Sequence, residues 1–204
     1  MLKVNEYFYS LQGEGRRAGE PSIFIRLAGC DLTCGFCDTE FESGEEMTLP
    51  ELLAAIQMCV AATIGVDHSP EAARWIVWTG GEPSLQLRAE HIEFFKERGY
   101  KQAIETNGNN RPPPGLDWVV CSPKVAEHVV AKNFPDGVDE LRYVRHKNQV
   151  AAPEPKVTAK EYYISPMFNG DQIDEANLRK CIDIVLANPP WRLSLQTHKL
   201  IRVL

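Results

Sequence analysis

Three cysteines in one short loop constrain this chain more than any other feature. Residues 30–39 read CDLTCGFCDT, placing Cys30, Cys34 and Cys37 in a C-x3-C-x2-C spacing. A disulfide needs two partners and a structural zinc site needs four ligands. Three thiolates so close together suit three corners of a 4Fe–4S cube, with the fourth iron open to an outside ligand.

Six cysteines in all raise the question of a disulfide framework. The chain length of 204 residues, the crowding of the triplet and residues 2–6, which lack the apolar core of a signal peptide, argue against it. Cys59 and Cys181 fall on apolar faces of expected helices, and Cys121 ends an apolar strand, so all three read as packing residues. The length accommodates a single domain, residues 1–204, with its own core. A net charge of −6 speaks against nucleic acid as a partner, and no apolar run reaches the ~20 residues of a membrane span. The expected location is the cytoplasm.

The pattern along the chain is strand, loop, helix, repeated. Strands are expected at residues 4–11, 22–28, 75–79, 101–105 and 116–121, with weaker ones at 137–144, 161–164 and 191–195. Helices are expected at 48–64, where Thr48 and Glu51 form a capping-box pattern, at 174–188, and after Pro83 through about Arg98. Residues 65–73 read as a loop, and 40–47 as a short acidic connector. Such alternation predicts an α/β fold with a mostly parallel sheet.

Several polar groups fall at strand ends. Gly80-Gly81-Glu82-Pro83 follows an apolar strand, where glycines let the backbone present amides to a ligand. Gln12-Gly13-Glu14-Gly15 is either a solvated glycine turn or a loop facing a substrate. Arg26 is either a strand-end residue on the wet face or an inward cation whose fork suits a carboxylate. Asp38-Thr39 has the form of an ordinary capping turn, and His198 that of a structural strand-end histidine.

The cysteine loop followed by the GGEP turn resembles the radical S-adenosylmethionine enzymes. The series LQGEG from Leu11, CDT from Cys37, GGEP, ETNG from Glu105, SPK from Ser122 and QTHK from Gln196 narrows the resemblance. In that order it is similar to the 7-carboxy-7-deazaguanine synthase family of queuosine biosynthesis. The resemblance implies a reduced partial (β/α) barrel and conversion of 6-carboxy-5,6,7,8-tetrahydropterin with loss of ammonia.

The same resemblance implies residue roles. Cys30, Cys34 and Cys37 would ligate the cluster, and Thr39 a magnesium ion. S-adenosylmethionine would be held by Phe36, Cys37, Asp38, Gly81, Ser122, Pro123 and Lys124, with Ser165, Pro166, Met167 and Phe168 as further contacts. Leu11, Gln12, Gly13, Glu14, Arg26, Thr79, Glu105, Asn107, His198 and the carboxylate of Leu204 would surround the pterin. An electron donor such as a flavodoxin and a homodimer are implied as partners. Two rivals stand beside this reading. A glycyl-radical activase shares the cysteine spacing. A zinc-stabilised binding module would need one of His68, His91, His128, His146 or His198, all remote from the triplet.

Overall fold

The computed structural model describes residues 1–35, 37, 39–65 and 74–204. One sheet runs through it, in the strand order β3-β1-β2-β4-β5-β6-β7-β8-β9. The strands are β1 (Leu2–Leu11), β2 (Pro21–Leu27), β3 (Glu45–Met47), β4 (Trp75–Gly80), β5 (Lys101–Thr106), β6 (Trp118–Cys121), β7 (Val138–Arg145), β8 (Ala159–Pro166) and β9 (Arg192–Leu193). β1 is antiparallel to β2 and β3, and every other neighbouring pair is parallel. The helices are α1 (Leu49–Ile64), α2 (Ala89–Lys96), α3 (Glu127–Asn133), α4 (Glu175–Ala187) and α5 (Thr197–Ile201). This open, mostly parallel α/β sheet is the one the alternation of elements predicts, and it has the form of the partial (β/α) barrel that the family resemblance implies.

Strand alternation decides which side chains face which layer. In β2, Ile23, Ile25 and Leu27 are buried under the helices, while Ser22, Phe24 and Arg26 point to the opposite, inner face. Helix α1 begins as expected. Thr48 Oγ1 accepts from Glu51 N at 3.4 Å, and Glu51 Oε2 accepts from Thr48 N at 2.8 Å. Its Leu52 and Ile56, one turn apart, are fully buried, each worth about 1.5–3 kcal/mol of apolar transfer.

Two apolar clusters underlie the sheet. One joins β1, β2, β4 and β5 to α1 and α2 through Trp78, Phe95, Ile56 and Ile104. The other joins β6, β7 and β8 to α3 and α4 through Cys121, Leu141, Ile164 and Cys181. Val119 packs against both. Cys121 and Cys181 are thus core residues, as expected, whereas Cys59 is only half-buried and outside both clusters.

Some elements differ from expectation. The helix after Pro83 is split into a 3-10 turn, Pro83–Leu85, and α2, because Arg88 is extended and takes the N-cap position of a new helix. The closing strand shrinks to two residues, Arg192–Leu193, and residues 197–201 turn into α5, so His198 sits on a helix. β3 and α3 were not expected. The loop expected at 65–73 lies, from residue 66, outside the described residues, as do Phe36 and Asp38.

Candidate active site

Because β2 and β4–β9 are parallel, the turns after these strands gather along one edge. The cysteine loop leaves β2 there and is pinned by backbone. Gly29 N donates to Phe41 O at 2.7 Å, Gly81 N to Leu27 O at 3.1 Å and Glu82 N to Gly29 O at 2.9 Å. A side chain on Gly81 would run into the Gly29 carbonyl and come within 3.0 Å of Cys30 Cβ. The glycine pair therefore lets the turn after β4 lie against the cysteine loop.

Two carboxylates tie this region together. Buried Glu82 accepts from Ser84 N at 3.0 Å, Thr106 Oγ1 at 2.8 Å and Asn107 N at 2.7 Å. Burial pushes its carboxyl up, against the pull of those donors. Asp31 accepts from the side-chain amides of Asn107, Asn109 and Asn110 at 2.9, 2.8 and 2.6 Å. Desolvation opposes its ionisation, but the three amides win and hold it below the usual carboxylate range. The cysteine loop is in this way lashed to the end of β5.

Cys30, Cys34 and Cys37 are free thiols, the first two half-buried and Cys37 exposed. Burial raises the Cys30 thiol above its ordinary value, so an ion that displaces its proton would have to repay that. Among the described residues no trio of His, Cys, Asp or Glu is drawn tightly enough to close on a metal ion. The donor set nevertheless fits an iron–sulfur cluster: three soft thiol donors on one loop, with no disulfide.

The turns expected to hold S-adenosylmethionine share this edge. Ser122 N donates to Thr106 O at 2.8 Å and Lys124 N to Asn107 O at 2.9 Å, while Lys124 Nζ donates to Ser122 Oγ at 2.6 Å. Burial lowers the Lys124 ammonium from its usual value. Ser165 and Pro166 end β8 and are buried, and among the described residues the Ser165 Oγ has no hydrogen-bond partner. Met167 N donates to Arg145 O at 2.8 Å, and Lys199 Nζ stands 5.6 Å from the centre of the Phe168 ring.

On the inner face opens a cavity of about 1080 Å³. Leu11, Gln12, Gly13, Glu14, Arg26, Thr79, Glu105, His198 and Leu204 all line it, together with Thr39. Of the residues expected around the pterin, Asn107 alone is outside this lining; its side chain is engaged with Asp31. Strand register explains much of the convergence. Glu6 pairs with Arg26, Arg26 with Thr79, and Glu105 lies one position beyond the Trp78–Ile104 pair. One row across four strands thus presents four polar side chains inward.

Arg26 is an inward residue: its Nε stands 2.5 Å from Glu6 Oε1, and its Nη1 donates to Thr39 Oγ1 at 3.4 Å. That guanidinium takes one approach to the Thr39 hydroxyl, a hard oxygen donor of the kind magnesium uses. The wall also contains residues that the sequence did not single out. Phe8 and Phe24 stack with ring centres 5.0 Å apart, and both line the cavity with Gln172, Lys199 and Arg202. Alternation along β1 and β2 was the available signal, placing Phe8 with Glu6 and Phe24 with Arg26.

Beneath the wall, Arg142 of β7 bonds Glu105, and its Nη1 stands 3.7 Å from Glu14 Oε2 and 3.6 Å from Glu140 Oε1. Gln12 Nε2 donates to Glu105 Oε1 at 3.3 Å. Burial pushes the Glu105 carboxyl up to about 7, with Arg142 pulling it down and Glu140 and Glu14 adding to the rise. Burial alone would lower Arg142, but its three carboxylate neighbours hold it above the ordinary guanidinium value.

A cysteine triplet and a Gly-Gly-Glu turn meeting at the carboxyl edge of a partial (β/α) barrel define a radical S-adenosylmethionine protein. Comparison with known proteins narrows this. The chain is 38% identical over 203 residues to the 7-carboxy-7-deazaguanine synthase of Bacteroides thetaiotaomicron, covering 100% of this chain and 99% of that one. It is 37% identical to the synthase of Bradyrhizobium diazoefficiens, covering 96% of each. The crystal structure of QueE from Escherichia coli superimposes with a TM-score of 0.69 at 26% identity, covering 95% of this chain and 93% of that one. No family model matches the sequence. The chain belongs to the 7-carboxy-7-deazaguanine synthase family.

Proposed function

We propose that this chain, acting as one domain over residues 1–204, converts 6-carboxy-5,6,7,8-tetrahydropterin to 7-carboxy-7-deazaguanine with loss of ammonia, a step of queuosine biosynthesis. The observation that carries this reading is the cavity, because the residues that line it are those the family resemblance assigns to the pterin. Its wall has carboxylates (Glu14, Glu105) for the N–H groups of a pterin ring and cations (Arg26, Lys199) for a carboxylate. The stacked Phe8 and Phe24 add an aromatic surface.

Cys30, Cys34 and Cys37 hold a 4Fe–4S cluster in this reading, and Phe36, Cys37, Asp38, Gly81, Ser122, Pro123, Lys124 and residues 165–168 hold S-adenosylmethionine. When bound, these cofactors would supply the radical chemistry that activates the pterin. The protein's own work is positional. Gly81 lets the turn after β4 approach the cysteine loop, Asp31 and Glu82 fix that loop against β5, and α5 walls the cavity from water. Thr39 contributes a magnesium ligand beside the substrate. In this reading a flavodoxin-type donor would reduce the cluster, and the working form is a cytoplasmic homodimer. Among the described residues no helix is long and apolar enough to cross a membrane.

The test is an anaerobic incubation of the reconstituted enzyme with reductant, S-adenosylmethionine and the pterin. Formation of 7-carboxy-7-deazaguanine and ammonia supports the reading. Cofactor cleavage without pterin consumption refutes it.

A further inference from the structure

Arg142 does not itself line the cavity, yet it lies buried directly behind the wall residues Glu14 and Glu105, its side chain only 5% exposed. Glu140 stands behind it, 2% exposed, with Oε2 accepting from Arg16 N at 3.0 Å. Glu14 and Glu105 stand in front, each 20% exposed, and both line the cavity. The packing on the rear side is tight: a side chain on Gly15, which has φ +68, would overlap the Glu140 carboxylate. One guanidinium therefore serves three carboxylates, and among the described residues its Nη1 has no hydrogen-bond partner within ordinary length. Carboxylates this close repel each other, and a planar fork between them sets the direction in which each can point.

We propose that Arg142 is a positioning residue of the substrate pocket: braced by Glu140, it holds Glu14 and Glu105 apart and aims them into the cavity, where they take the N–H edge of the ligand. This rests on the reading of the cavity as a pterin site.

The charged groups around Glu105 are Arg142 and Glu140 from β7, Glu14 from the loop after β1 and Arg17 from the turn Gly15–Arg17; Gln12 adds an uncharged amide. Tyr163 of β8 and Lys124 lie near Arg142 itself. Arg142 opposes the upward push of burial on the Glu105 carboxyl, so its loss raises that carboxyl further. Protonation, which in the parent fades as pH rises through about 7, would then persist to higher pH where the ligand needs an acceptor.

The experiment compares reconstituted parent, Arg142→Gln and Arg142→Lys enzymes for iron content, S-adenosylmethionine affinity, and KM and kcat/KM for the pterin from pH 6 to 9. Arg142→Gln should raise the pterin KM by about tenfold or more, as expected when a buried charge partner is truncated. The acid limb of its kcat/KM profile should move up by about one pH unit, with iron content and cofactor affinity unchanged. Arg142→Lys keeps the charge but not the fork, so its acid limb should stay with the parent while the pterin KM rises several-fold. A pterin KM within about twofold of the parent in either variant, or a Gln profile on the parent's acid limb, overturns the proposal. Should Arg142→Gln fail to fold, Arg142→Lys decides through KM alone. A parent that cleaves the cofactor but leaves the pterin untouched overturns the functional reading as well, which separates the two failures.

Discussion

Gly13 and His198 are pressed together: a side-chain carbon on Gly13 would overlap the His198 ring, coming within 3.0 Å even of its Cβ. The Gly13 carbonyl also accepts from Thr197, from N at 3.0 Å and from Oγ1 at 2.8 Å. The loop after β1 is thereby the seat on which α5 rests, and both line the cavity. Gly13→Ala should displace His198. The expected result is a higher pterin KM, with cluster content and cofactor cleavage in the absence of pterin unchanged. Parent kinetics in this variant would mean that His198 is free to move without cost to the site.

Arg26 reaches two partners, Glu6 and Thr39, through different nitrogens. A lysine can keep one of them but not both, and it loses the fork that grips a carboxylate. Arg26→Lys should raise the pterin KM far more than that of S-adenosylmethionine. Steady-state kinetics for both substrates check this; equal shifts would remove Arg26 from the pterin site.

Thr39 is the residue on which the magnesium assignment turns. Activity of chelated enzyme should rise on adding magnesium. Thr39→Ala should need more of the ion at unchanged iron content, and Thr39→Ser should stay near the parent. A residue that merely caps a turn would instead cost about 0.5–2 kcal/mol of stability as alanine and leave the magnesium titration alone.

The cysteines separate cleanly by place. Cys34→Ala should abolish cluster assembly, read as loss of iron, sulfide and visible absorption. Cys59, half-buried on α1, should cost about 1 kcal/mol or less as alanine, with a full cluster. A redox-active full cluster in Cys34→Ala would break the central assignment.

Glu105 makes stability depend on pH with a definite sign. Its folded value of about 7 lies above the ordinary carboxylate value of 4.5, so the folded state binds its proton more tightly than the unfolded state does. Its contribution is full below the unfolded value and is lost as pH rises through about 7. Glu105→Gln has no such dependence. The melting temperature of the variant minus that of the parent should therefore grow from pH 4.5 to pH 8. A constant difference would show that Glu105 ionises as it does in water.

Much of this was legible in the sequence because strands alternate and their ends gather polar groups. Ser22, Phe24 and Arg26 against Ile23, Ile25 and Leu27 already fix which face is wet, and Glu105 at a strand end points to the same edge as Gly81. Arg142 was hidden for the opposite reason. It lies inside Asp139-Glu140-Leu141-Arg142-Tyr143, where a charge in a strand reads as a solvated position. Only the parallel register of β5, β6 and β7 brings it to Glu105. α3 and β3 are too short to display a period, and α5 depends on Gly13, 184 residues away along the chain from Thr197.

The division of the apolar interior into two clusters that share Val119 has a mechanical consequence. The cysteine loop and Gly81 belong to one half of the sheet, while Ser122, Lys124 and residues 165–168 belong to the other. A molecule gripped by all of them acts as a clasp across a seam. Loading the site should then make the halves melt more nearly as a single unit, with a sharper calorimetric transition for the loaded protein as the expected result.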